Sequence, residues 1–181
     1  ACDRYEIPVF MDHKKSILLN SFVEYVRSLL GMIQENFTYE SVFRYLRSGY
    51  CEFTEDEIDR LENYCLALGI KGYKKWQQAW ARKTKEADEE EVEKLNHLRV
   101  KFVEKIDPLM FVSRQKKKTV LDITLAVYEF IAGEHLQEKL EQQQKFFAEQ
   151  GELTLAKEYE QIYRIVMELF DKFSELLGDE P

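Results

Sequence analysis

Cations and aromatic residues alternate in one stretch of this sequence, KGYKKWQQAWARKTK, which we call the basic segment (residues 71–85). No acidic residue interrupts it. Its cations and aromatic residues are Lys71, Tyr73, Lys74, Lys75, Trp76, Trp80, Arg82, Lys83 and Lys85. Lysine and arginine attract phosphate oxygens, and aromatic rings stack on bases. The basic segment is therefore a candidate nucleic-acid contact.

A second basic cluster follows further along the chain and consists of Arg114, Lys116, Lys117 and Lys118. The whole chain has a net charge of −8, so the residues outside these two clusters carry −18. Such segregation of positive charge is typical of proteins that contact phosphates. A structural interpretation stays open beside it, because tryptophans also attach loops to a core and lysines also balance a neighbouring acidic helix start.

The sequence has no motif for catalysis or for metal binding. It lacks the glycine-rich loop that binds a nucleoside triphosphate, and it lacks the His-Glu-x-x-His pattern of zinc hydrolases. Glu93 and His97 would share a helix face, but a surface ion pair explains this spacing better than half a metal site. We therefore predict no catalytic residue, no metal site and no cofactor in this chain, and no ATP hydrolysis by the chain alone.

Cysteine usage and hydropathy indicate the cellular setting. Cys2, Cys51 and Cys65 lack both the even number and the spacing of a disulfide framework or a zinc module. No signal peptide opens the chain, and no apolar run approaches the roughly 18 residues of a membrane span. We predict a reduced, cytoplasmic protein without membrane contact. The first residue is not methionine, and ACDRYEIPVF resembles the middle of an element, so we also expect a fragment of a longer protein.

Helical patterns dominate the elements that must position these residues. Seven glycines and three prolines are too few for an all-β fold, and apolar residues recur at spacings of three and four. The predicted helices begin near residues 21, 39, 54, 86, 119, 135 and 153. The apolar run at residues 7–11, IPVFM, is the one good strand candidate.

Several local expectations follow from capping residues and apolar spacing. Ser21 with Glu24, and Thr54 with Glu57, have the spacing of capping boxes, and Pro108 should end or kink the fourth helix. We expect the core to come mainly from the first, third, fifth and last predicted helices. In the fifth helix, Leu121, Leu125, Tyr128 and Ile131 recur at spacings of three and four.

The fold prediction is therefore all-α, a bundle of about six or seven helices with one short N-terminal strand. We expect one domain over residues 1–181, in which residues 1–15 form a strand and loop and residues 16–181 are helical. We expect Trp76 to be partly buried against the third helix, with the lysines and Arg82 exposed.

Four segments, in order, carry a family resemblance. They are IPVFMDHKKSILLNSFVEYVRSLL from residue 7, VFRYLRSG from residue 42, DEIDRLENYCLALGIKGYKKW from residue 56 and AKEYEQIYRIVMELFDKFSELLGDE from residue 156. Together they resemble the B subunit of the AddAB (RexAB-like) ATP-dependent helicase-nuclease over nearly the whole chain. Arg47, Ser48 and Lys71 depart from the Lys, Thr and Arg of the family pattern, and Lys71 thereby lacks a guanidinium fork.

The resemblance implies a larger protein around this chain. In that family the B subunit combines a module shaped like a superfamily 1 helicase with a nuclease domain that holds an iron-sulfur cluster. The chain would be a helical insertion in the second motor-like domain, a 2B-like accessory domain, and residues 1–15 would leave the parent domain. ATP, magnesium and the cluster would belong to the parent, because none of the family's catalytic or metal-binding residues maps here. The complex would process double-stranded DNA ends in recombinational repair.

Two functional hypotheses remain open, and a third is disfavoured. In the first hypothesis, the chain is a non-catalytic accessory domain beside the A subunit of the helicase-nuclease. It contacts DNA, either a duplex end or a displaced strand. Alternatively, it is a purely structural domain for protein interaction without DNA contact. A freestanding helical enzyme is disfavoured, because no acid-base or nucleophile arrangement is present. The candidate DNA-binding residues are Lys71, Lys74, Lys75, Trp76, Trp80, Arg82, Lys83, Lys85, Arg114, Lys116, Lys117 and Lys118.

Overall fold

The computed structural model describes residues 19–133, 136–177 and 180. Over these residues the protein is all-α, with eight helices and no strand, which confirms the predicted fold class. The predicted strand at residues 7–11 lies outside the described residues. The helices are α1 (Ser21–Gln34), α2 (Tyr39–Leu46), α3 (Glu55–Leu68), α4 (Tyr73–Gln77), α5 (Glu89–Ser113), α6 (Val120–Gly133), α7 (Leu136–Glu149) and α8 (Leu153–Leu177).

The ends of α3 form as their sequence predicts. The Thr54 hydroxyl accepts a hydrogen bond from the Glu57 backbone N–H at 3.2 Å, and the Glu57 carboxylate accepts one from the Thr54 N–H at 2.8 Å. This reciprocal pair is the predicted capping box. Gly69 ends the helix with a φ of +62°, a left-handed conformation that glycine adopts without steric cost.

One predicted cap is wrong, and α5 does not end at Pro108, one of the two outcomes predicted for that proline. The N-cap of α1 is Asn20, whose side chain accepts from the Phe22 N–H at 3.0 Å, and the Ser21 hydroxyl instead contacts the hydroxyl groups of Tyr50 and Tyr159. Pro108 lies inside α5, which continues to Ser113. Proline removes the hydrogen bond to the carbonyl four residues earlier and its ring crowds that carbonyl, but both Pro108 and Glu104 are exposed, so water can satisfy the carbonyl.

The core is built chiefly from α1, α2, α3, α5 and α8. Rings of α1 and α2 meet at Tyr25 and Tyr45, with centroids 5.5 Å apart, and Phe102 of α5 contacts the rings of Phe37 and Trp76. The expectation that the first, third, fifth and last predicted helices dominate holds for α1, α3 and α8 and fails for α6, which buries three residues, while α2 and α5 contribute more than expected. The short α2 is buried because it packs between α1 and α3, and the 25-residue α5 packs on α3, α4 and α6.

The C-terminal helices α6, α7 and α8 pack on one another, and α6 also packs on α5. The Val120 N–H donates to the Glu180 carbonyl at 2.8 Å, so the start of α6 lies beside the end of α8. Of the four apolar residues whose spacing predicted α6, only Ile131 is buried; the other buried residues of this helix are Thr124 and Val127. Apolar residues occur on two sides of this helix, and their spacing alone does not show which side is covered.

A set of apolar side chains consequently remains exposed on α6 and on the C-terminal half of α8. The exposed fraction is 49% for Leu125 and 50% for Leu169. We call this group the apolar set; its members are Leu121, Leu125, Tyr128, Leu169, Phe173 and Leu176. No helix in the described part of the chain is long and apolar enough to cross a membrane.

Candidate nucleic-acid interface

The basic segment contains a short helix, α4, and its first tryptophan belongs to the core. The side chain of Trp76 is only 1% exposed, so it is buried more deeply than we predicted. Its ring lies 4.9 Å from that of Phe102 on α5 and 6.5 Å from that of Phe43 on α2. Trp76 therefore attaches α4 to the place where α2 and α5 meet.

The second tryptophan of the segment, Trp80, is also buried, with 8% of its surface exposed. Its ring stacks on Tyr64 at 5.1 Å and meets the edge of Trp76 at 5.2 Å. Asn96 of α5 fixes its backbone, because the side-chain amide accepts from the Trp80 N–H at 2.9 Å and donates to the Trp80 carbonyl at 2.7 Å. Neither tryptophan offers an open ring face to a base in this conformation.

Arg99 of α5 is a positioning residue that the sequence did not reveal. It is buried, its Nη1 donates to the Trp76 carbonyl at 2.7 Å, and its Nε donates to Asn96 Oδ1 at 2.9 Å. Its guanidinium also lies 5.9 Å from the centre of the Trp80 ring. Burial lowers the pKa of Arg99 from its ordinary value. The only available signal was the three-residue spacing of Asn96 and Arg99 on one helix face.

We expect the substitution Arg99→Lys to lower the free energy of unfolding by about 1 to 3 kcal/mol, because a lysine cannot replace both hydrogen bonds of the guanidinium fork. Urea unfolding of the chain measures this loss. Arg27→Lys is the matched control, since Arg27 is exposed and its guanidinium forms a long ion pair of 3.5 Å with Glu24. The role of Arg99 is contradicted if both substitutions have equally small effects.

The candidate cations differ in what they contact. Lys83 forms an ion pair with Glu89 at 2.8 Å, and Lys118 donates to the Gln115 carbonyl at 3.4 Å. The others, apart from Arg114, are exposed and form no ion pair or side-chain hydrogen bond with the described part of the chain. These unpaired cations are Lys71, Lys74, Lys75, Arg82, Lys85, Lys116 and Lys117.

Arg114 brings the two basic clusters together. Its guanidinium carbon lies 4.4 Å from the centre of the Tyr73 ring, and its Nη2 donates to Asn36 Oδ1 at 3.3 Å. Tyr73 is the first residue of α4 and is followed directly by Lys74. The second basic cluster therefore begins against α4, although Arg114 follows Tyr73 by 41 positions in sequence.

The side chains of the described residues do not suit the cofactors that the resemblance implies for a parent protein. Among these residues, no three histidine, cysteine, aspartate or glutamate side chains are grouped so that they could hold a metal ion. Burial raises the pKa of the Cys65 thiol to about 12, which disfavours the thiolate that an iron-sulfur cluster requires. We therefore assign no step of ATP, magnesium or cluster chemistry to this chain.

The described residues thus define an all-helical domain with a segregated group of unpaired cations. No family model matches the chain. It is 43% identical over 177 residues to the ATP-dependent helicase/deoxyribonuclease B subunit of Lachnoclostridium phytofermentans, which is 96% of this chain and 15% of that protein. Proteins of the same name from Clostridium novyi and Acetivibrio thermocellus are 38% and 37% identical, over 98% and 97% of this chain and 15% and 16% of their own length.

These similarities confirm the resemblance that the four sequence segments indicated. The chain is homologous to one segment of the ATP-dependent helicase/deoxyribonuclease B subunits. It spans about 15% of the length of these relatives.

Proposed function

We propose that this chain is a non-catalytic accessory domain of an ATP-dependent helicase/deoxyribonuclease B subunit and that it contacts DNA through its unpaired cations. Residues 16–181 form one helical insertion in a 2B-like position, and residues 1–15 connect it to a motor-like domain. The observation that carries the proposal is the group of seven exposed, unpaired cations on a chain whose net charge is −8.

The distribution of charge supports DNA as the partner of this surface. The residues outside the two basic clusters carry −18 and repel phosphates, so a strand near the domain is directed toward the basic segment. Each exposed lysine that pairs with a phosphate releases condensed counterions, which is the main source of affinity in nonspecific DNA binding. The same negative charge keeps the domain's own affinity low, so neighbouring domains supply the rest of the DNA channel.

The larger assembly belongs to the same proposal. The parent B subunit works with the A subunit of the helicase-nuclease in the cytoplasm, and together they process double-stranded DNA ends during recombinational repair. ATP, magnesium and the iron-sulfur cluster act in other parts of that assembly. The DNA at this domain is a duplex end or a displaced strand.

The apolar set favours a second candidate function, a domain that binds neighbouring protein and does not contact DNA. Leu125 of α6 and Leu169 of α8 are both about half exposed, on helices that pack against each other. Soluble proteins seldom leave several large apolar side chains uncovered on adjoining elements unless another surface packs there. The apolar set and the basic segment lie on different helices, so protein contact at the apolar set does not by itself exclude DNA contact at the basic segment.

Site-specific photo-crosslinking in the assembled complex distinguishes the two candidates. A benzophenone amino acid replaces Lys75 in one variant and Phe173 in another, and each complex is irradiated with and without a DNA duplex end. We expect position 75 to form adducts with DNA and position 173 to form adducts with protein in both samples. Adducts of position 75 with protein alone would contradict DNA contact and favour the second candidate.

A further inference from the structure

A groove with a volume of about 740 Å³ lies between α4 and the C-terminal half of α5. Tyr73 and Pro108 contribute to its apolar lining, and Phe111 and Arg114 belong to its wall. This groove lies where Arg114 brings the two basic clusters together. Of the candidate DNA-binding residues that the sequence predicted, Arg114 alone lines this groove.

Phe111 gives the groove an exposed aromatic ring. Its side chain is 73% exposed, so it contributes little to the core, although it lies on the otherwise well-packed α5. Arg114 follows three residues later on the same helix face. An exposed ring beside a guanidinium matches the parts of a nucleotide, because the ring stacks on a base and the cation pairs with a phosphate.

The charged side chains of the groove are separated along α5, with the carboxylates nearer the middle of the helix and the guanidinium at its C-terminal end. Glu104 and Asp107 lie toward the middle of the helix, and Asp107 already accepts a hydrogen bond from the Tyr73 hydroxyl. Carboxylates repel phosphate but accept hydrogen bonds from the N–H groups of bases, including the N3–H of thymine. Arg114 lies at the other end, where Lys116 and Lys117 follow it. The charges therefore orient a nucleotide with its phosphate toward Arg114 and its base toward Phe111.

We propose that this groove binds one unstacked nucleotide of a single DNA strand, with the base on Phe111 and the phosphate on Arg114. The inference rests on the proposed function, since it specifies the form of DNA that the domain contacts. An apolar peptide segment fits less well, because it would desolvate Glu104 and Arg114 without giving them partners.

The test compares two single strands of equal length, an oligothymidylate and a strand of abasic residues, by fluorescence anisotropy with the complex that contains this chain. We expect Phe111→Ala to weaken binding of the oligothymidylate about 5- to 150-fold, the equivalent of one stacked base, and to leave the abasic strand unaffected. Phe111→Tyr keeps the ring and should restore the affinity. Phe146→Ala removes an exposed phenylalanine of α7 as the matched control and should change neither affinity.

The outcomes separate this proposal from the proposed function. If Phe111→Ala leaves the ratio of the two affinities unchanged while neutral variants of Lys74, Lys75 and Arg82 weaken DNA binding, the groove proposal is overturned and DNA contact stands. If none of these variants changes DNA binding, both are overturned. Dissociation of the complex on Phe111→Ala, with unchanged strand affinity, would identify protein as the occupant and would also overturn the groove proposal.

Discussion

Replacing Trp76 with alanine should lower the free energy of unfolding by about 3 to 5 kcal/mol, the cost of truncating a large aromatic residue in a packed core. Trp76 is 1% exposed and its ring contacts Phe43, Trp80 and Phe102. The substitution leaves a cavity at the junction of α2, α4 and α5, and it loosens the part of the basic segment that Arg99 holds.

Urea unfolding of the chain, followed by far-ultraviolet circular dichroism, measures this loss. Lys75→Ala is the matched control one residue away, and because Lys75 is exposed and unpaired we expect a change within about 0.5 kcal/mol. A loss for Trp76→Ala as small as that of the control, together with weaker DNA binding by the complex, would show that Trp76 contacts DNA and does not support the core.

Neutralising four unpaired cations of the basic segment should weaken DNA binding by the complex about a thousandfold at 0.1 M salt, if all four contact phosphates. The variant replaces Lys74, Lys75, Arg82 and Lys85 with alanine. Lys83 is left unchanged because its ion pair with Glu89 already engages its charge. Fluorescence anisotropy with a labelled duplex end measures the affinity, and a melting temperature close to that of the wild type shows that the fold is intact.

A second variant controls for the change in total charge. It replaces four exposed cations of α7 and α8 with alanine, namely Lys145, Lys157, Arg164 and Lys172. Both variants lower the net charge by the same amount, but the control does so away from the basic segment. We expect the control variant to change affinity far less, because charges more than a Debye length, about 10 Å at 0.1 M salt, from the DNA are largely screened.

Local signals in the sequence were enough to predict most of the helices. The Thr54 and Glu57 capping box and the left-handed Gly69 form as predicted, because both depend on residues a few positions apart. The Ser21 cap failed because Asn20, one residue earlier, competes for the same backbone N–H groups and leaves the Ser21 hydroxyl to Tyr50 and Tyr159.

The candidate site was harder to predict, because its geometry depends on contacts between distant residues. The alternation of lysine and tryptophan in the basic segment is equally typical of a stacking surface and of a loop attached to a core. Burial of Trp76 and Trp80 depends on Arg99 and Asn96, which lie 16 to 23 residues away. The contact of Arg114 with the Tyr73 ring likewise joins two basic clusters that are separate in the sequence.

The salt dependence of DNA binding by the complex shows whether the unpaired cations of the basic segment contact phosphates. The slope of log affinity against log salt concentration is measured for the wild type, the basic-segment variant and the α7 and α8 control variant. If they do, the magnitude of the slope decreases by about 3 in the basic-segment variant, roughly 0.7 to 0.9 for each lost contact, and stays at the wild-type value in the control. Equal slopes for all three proteins would contradict DNA contact by the basic segment.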